Sequence, residues 1–108
     1  MTTQQLNQLL AELKRELQKL YGELLVAIIL YGSYGRGAAH ENSDIDVGMI
    51  LKNYERAPLE INRTGEIAAR LSLDYDSLVA LIPLREREWR EQKSFFMNNL
   101  RKDGVLIK

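Results

Sequence analysis

Residues 24–51 read LLVAIILYGSYGRGAAHENSDIDVGMIL, and this stretch decides the fold. Its first part, Leu24 to Tyr31, is continuous and apolar. As a strand, such a run is buried on both faces and lies centrally in a sheet. Gly32-Ser33-Tyr34-Gly35-Arg36-Gly37 follows, with three glycines in six residues. That density marks a loop where the backbone turns tightly or comes close to something. Asp44 to Leu51 reads as a second strand. Its alternation sets Ile45, Val47 and Met49 on one face and Asp44, Asp46 and Gly48 on the other.

Upstream of this stretch, Thr2 or Thr3 can cap a helix that carries Leu6, Leu9, Leu10, Leu13, Leu17 and Leu20 at helical spacing, with Gly22 as its stop. The leucine stripe is expected to pack on the domain. Downstream, Asn53 to Pro58 is a polar surface connection, and Pro58 suits the first turn of a helix. Ile61, Ile67, Ala68 and Leu71 predict that helix, weakened by Gly65. Tyr75 to Pro83 predicts a third strand, ended by a proline that cannot donate to a ladder. Leu84 to Gln92 and Ser94 to Lys102 read as two short helices, Gly104 closes the second, and Val105-Leu106-Ile107 adds a short final strand. Helix, strand, strand, helix, strand, helix describes a small α/β or α+β domain.

The composition narrows the function classes. The 108 residues are expected to form one domain, with no room for a separate substrate-recognition domain. Fifteen basic side chains balance fifteen acidic ones, so nothing drives the protein toward nucleic acid or an anionic membrane. The absence of cysteine excludes disulfides, thiolate metal sites and a cysteine nucleophile. Met1 to Gln5 lacks a signal-peptide pattern, and the longest apolar run falls far short of a membrane span, so a cytoplasmic location is expected.

The chemistry concentrates between Ser33 and Asp46. Asp44 and Asp46 lie two apart on a strand and point to one face, where they can hold hard cations between them. Two Mg²⁺ ions in such a site can stabilise the attacking and leaving oxygens of a phosphoryl displacement. Gly32 leaves room for close approach, and the Ser33 hydroxyl and loop N–H groups can donate to phosphate oxygens. Arg36 can add charge-assisted contacts to a triphosphate. Alone, an Asp-Ile-Asp strand start is ordinarily solvated, and a glycine loop is ordinarily a turn. Together, directly after a buried strand, they favour a site, because two carboxylates opening an apolar strand otherwise cost stability. Other polar residues carry blander readings. His40 and Glu41 are expected in solvent, Ser43 shapes the strand entry, and Arg85-Glu86-Arg87-Glu88 forms a solvated helix face. Trp89, Phe95 and Phe96 are expected in the core, while Tyr34 beside the loop is a candidate to stack on a base.

Gly32-Ser33-Tyr34-Gly35-Arg36-Gly37 followed by Ser43-Asp44-Ile45-Asp46-Val47 resembles the signature of minimal nucleotidyltransferases of the DNA polymerase beta-like superfamily. The ending Asn98 to Val105 is similar to the tail of many such domains, and the ten residues between Ser33 and Asp44 resemble the antitoxins paired with HEPN-domain ribonuclease toxins. The resemblance implies a small mixed sheet flanked by helices, with residues 1–108 as a single minimal nucleotidyltransferase domain. It implies ATP as substrate, two Mg²⁺ ions, and transfer of AMP to a hydroxyl with release of pyrophosphate. It also implies a hetero-oligomer with a HEPN toxin, whose tyrosine is the acceptor. Gly32, Ser33 and Arg36 would hold the triphosphate, and Asp44 and Asp46 the metal. A third carboxylate on the third strand would bind metal and help deprotonate the acceptor. Asp74 and Asp76 are the candidates, and Asp76 is preferred because it directly precedes the apolar run. Gly35 departs from the alanine common in the family, which is expected to loosen the loop slightly.

Two other functions compete. One is nucleotide transfer to a small molecule such as an antibiotic, although enzymes of that kind usually carry an extra helical domain. The other is a noncatalytic antitoxin that blocks its partner by binding.

Overall fold

Strands β1 (Leu25–Tyr31) and β2 (Ile45–Leu51) pair antiparallel and form the centre of the sheet. The computed structural model of the chain describes residues 1–40 and 43–107. β3 (Val79–Arg85) lies parallel to β2, and β4 (Val105–Ile107) pairs antiparallel with β1, in the order β3-β2-β1-β4. The sheet is therefore mixed. Its parallel pair is joined by a helical crossover, as a parallel connection requires.

α1 (Thr3–Tyr21) begins at a capping box: the Thr2 hydroxyl accepts from Gln5 N at 3.0 Å, and Thr2 N donates to the Gln5 side chain at 2.9 Å. It stops at Gly22. Its stripe packs as expected, with Leu9, Leu13 and Leu17 fully buried, each worth roughly 1.5–3 kcal/mol. Leu20 faces solvent, and Tyr21 takes the buried place at that end.

The crossover helix is two helices, α3 (Ala57–Arg63) and α4 (Gly65–Asp74). The break falls at Thr64, whose hydroxyl donates back to Glu60 O at 2.9 Å. The third strand also differs from its expected span. Tyr75 and Asp76 lie in a turn, and β3 starts at Val79, where Val79 N donates to Ser72 Oγ at 2.9 Å. Pro83 sits inside β3 rather than at its end. β3 is an edge strand, which tolerates a missing donor, and the Pro83 carbonyl accepts from Tyr54 OH at 3.2 Å. α5 (Glu86–Glu91) and α6 (Phe95–Asp103) follow.

The strands divide the core by parity. Ile28, Leu30, Ile45, Val47, Met49 and Leu51 meet the leucines of α1 and Leu71 of α4. Ile29, Ile50 and Leu84 meet Met97 and Leu100 of α6 on the opposite face. Asp44 and Asp46 share the parity of Ile50, so they belong to the face that α6 packs on. No helix among the described residues is long and apolar enough to cross a membrane.

Candidate active site

The chain leaves β1 through Gly32, whose φ of +66° belongs to the left-handed region that glycine adopts freely. A Cβ at this position would overlap Asp46 Oδ2, so the carboxylate of Asp46 lies directly against the loop backbone. Residues Gly32–Gly35 form one tight helical turn, α2, which contains Ser33. The turn is closed by Arg36 N donating to Gly32 O at 3.1 Å and Ala38 N donating to Ser33 O at 2.9 Å. Gly35 is not a loosened position. A Cβ there would come within 2.8 Å of Leu30 O, so the missing methyl lets the loop pack close on β1.

β2 supplies the carboxylates. Asp46 is half-buried, opposite Tyr31 on β1 and Ala80 on β3, while Asp44 is exposed just before the strand. Burial and the like charge of Asp44 raise the Asp46 carboxyl above its usual range, and the Arg36 guanidinium acts in the other direction. Asp46 in turn adds to the burial that pushes the Tyr31 phenol up to about 12. Two hard-oxygen donors whose charges repel on one strand face suit a divalent cation such as Mg²⁺, which would relieve that repulsion. A cavity of about 280 Å³ is lined by Gly32 and Arg36, by Tyr31 and by residues of α6 that include Phe95 and Phe96.

The structure thus brings Gly32, Ser33, Arg36, Asp44 and Asp46 to one end of the sheet. Asp76 is placed differently from the strand position expected of it. It sits in the α4–β3 turn with φ +48°, and Asp74 ends α4. The β3 residue beside Asp46 is Ala80, and Ile45 N donates to the O of Leu78, just before β3, so both neighbours of the acidic pair on this side are apolar. Among the described residues no group of three His, Cys, Asp or Glu side chains could hold a metal ion together.

The remaining polar residues mostly follow expectation. Ser43 Oγ accepts from His40 N at 2.9 Å and shapes the strand entry, and His40 is exposed. Glu41 lies outside the described residues. The charged helix forms surface pairs, including Arg90 with Glu86 at 2.8 Å. Tyr34 packs against the main core. Phe95 and Phe96 are not core residues: they are 86% and 44% exposed, and the Phe96 ring meets Tyr31 edge-on at 5.8 Å. Phe95, Asn99 and Asp103 stand at i, i+4 and i+8 along α6, but helical spacing alone does not say what such a stripe faces.

Comparison with known proteins places this geometry. The family described as Nucleotidyltransferase domain matches residues 10–103. A candidate protein adenylyltransferase of Methanocaldococcus jannaschii is 30% identical over 100 residues, covering 93% of this chain and 96% of its own length. A toxin–antitoxin complex solved with AMP-PNP matches with a TM-score of 0.60 and 24% identity, over 87% of this chain and 68% of that one. The complex of a tri-AMPylated Shewanella oneidensis HEPN toxin with its MNT antitoxin matches with a TM-score of 0.53 and 19% identity, over 91% of this chain and 70% of that one. These two likenesses show a shared fold.

Proposed function

The chain belongs to the nucleotidyltransferase domain family, and from that premise we propose that it transfers AMP from ATP to a tyrosine hydroxyl of a HEPN toxin and so serves as its antitoxin. The observation that carries this reading is the Asp44–Asp46 pair at the start of β2, with Asp46 pressed against the Gly32 turn. Two Mg²⁺ ions held by Asp44 and Asp46 would neutralise charge developing on the transferred phosphoryl group. Ser33 and the loop N–H groups would donate to the triphosphate oxygens, and Arg36 would bind them as a fixed cation. The acceptor oxygen bonds to the α-phosphorus, the α–β phosphoanhydride bond breaks, pyrophosphate leaves, and the phenolic proton passes to solvent. The protein's contribution is position and electrostatics.

The M. jannaschii relative supports the protein acceptor, and the AMP-PNP and AMPylated-toxin complexes support ATP and a HEPN partner. The test is the intact mass of the toxin after incubation with this protein, ATP and Mg²⁺. Gain of one or more AMP units supports the assignment, and an unchanged toxin mass refutes it.

A further inference from the structure

We propose that the cavity between the Gly32 turn and α6 is the nucleoside subsite, with Phe95 and Phe96 as the surface on which the base stacks. This rests on the nucleotidyltransferase reading and adds to it where the rest of the nucleotide goes. Gly32 and Arg36 line the cavity, so it adjoins the loop where the triphosphate would be held. A nucleoside is joined directly to the α-phosphate and must lie within one nucleotide's length of that loop. The apolar wall comes from Tyr31, Phe95 and Phe96. Tyr31 holds Phe96 edge-on, while most of the Phe95 surface stays in solvent. An exposed aromatic pair beside a phosphate-binding loop is a base-stacking platform.

The polar groups fit the same occupant. Asn99 and Asp103 stand one and two helical turns beyond Phe95 on α6, and both line the cavity. Neither side chain is hydrogen-bonded or ion-paired among the described residues. Asp103 is also an anion in the last turn of a helix, where the macrodipole disfavours it. A carboxylate only accepts hydrogen bonds, so among the lining groups it suits the N–H groups of a base or the hydroxyls of a ribose. The acceptor has another approach. In-line displacement sets the attacking oxygen opposite the leaving pyrophosphate, and the β3 side of Asp46, with Ala80 and the 59%-exposed Leu78, is open to it.

The experiment compares binding of ATP·Mg²⁺ and of inorganic tripolyphosphate·Mg²⁺ to the wild type, Phe95→Ala and Asp103→Asn by calorimetry. Phe95 is too exposed for its truncation to disturb the fold. Phe95→Ala is expected to weaken ATP about tenfold and to leave tripolyphosphate unchanged; Asp103→Asn is expected to weaken ATP alone, by a smaller factor. Equal binding of ATP and tripolyphosphate by the wild type would overturn the subsite while leaving the phosphate loop intact. Unchanged ATP binding by Phe95→Ala with slower transfer to the toxin would assign the cavity to the acceptor instead. Failure of the wild type to bind either ligand would overturn both this inference and the reading beneath it.

Discussion

Gly32 and Asp46 come so close that no side chain fits between them. Gly32→Ala therefore has two consequences. The left-handed backbone would cost about 1 kcal/mol or more, read by urea unfolding. The new methyl group would also displace the carboxylate, slowing AMP transfer about tenfold or more. Asp44→Asn and Asp46→Asn keep the shape and remove one charge each, so each should lower the transfer rate about a hundredfold without lowering stability. Relief of the repulsion between the two carboxylates would leave the Asp46→Asn fold as stable as the wild type or slightly more so. Asp76 gives the opposite expectation. It lies in a turn and not on the β3 face, so Asp76→Asn should transfer AMP within about threefold of wild type. A loss as large as that of Asp44→Asn would show that the turn folds back onto the acidic pair.

Among the elements, α1 and the α3–α4 crossover clamp one face of the sheet. Tyr21 OH donates to Glu60 at 2.7 Å in a buried setting, and Arg63 stands 3.6 Å from the same carboxylate. Removing the hydroxyl leaves a buried carboxylate short of a donor, so Tyr21→Phe should cost about 1–3 kcal/mol. Tyr75 also donates to a carboxylate, Glu12 at 2.9 Å, but only in a part-buried setting. Tyr75→Phe should cost clearly less, and the reverse order in paired unfolding curves would contradict the burial argument. These elements were largely legible in the sequence. The capped leucine helix, the paired apolar strands and the Ser94-capped α6 follow from local periodicity and capping. The misses had separate causes. The crossover helix breaks at Thr64, whose hydroxyl bonds back to Glu60 O, where the sequence predicts one helix weakened by Gly65. Pro83 stays inside β3 because that strand has a free edge, which no local pattern reveals.

At the scale of the molecule, the site exists because two chain reversals meet at one end of the sheet. The Gly32 turn leaves β1 where β2 begins, so residues far apart in the stretch 32–46 become neighbours by strand register. That half of the site could be read from spacing alone, since Asp44 and Asp46 share a face in any strand. The α6 side of the cavity could not. Met97 and Leu100 pack on Ile29 and Ile50, and this brings Phe95, Asn99 and Asp103 into the lining of the cavity beside Gly32 and Arg36. The balanced charge of the chain fits the proposed local grip on a small nucleotide rather than on a nucleic-acid backbone. The most direct test follows α-labelled ATP into the toxin with wild-type protein and with the Asp44→Ala, Asp46→Ala double variant. The account predicts label on the toxin and restored growth with wild type, and neither with the double variant. Neutralisation that survives the loss of both carboxylates, with no label transferred, would contradict it and assign the protein to inhibition by binding.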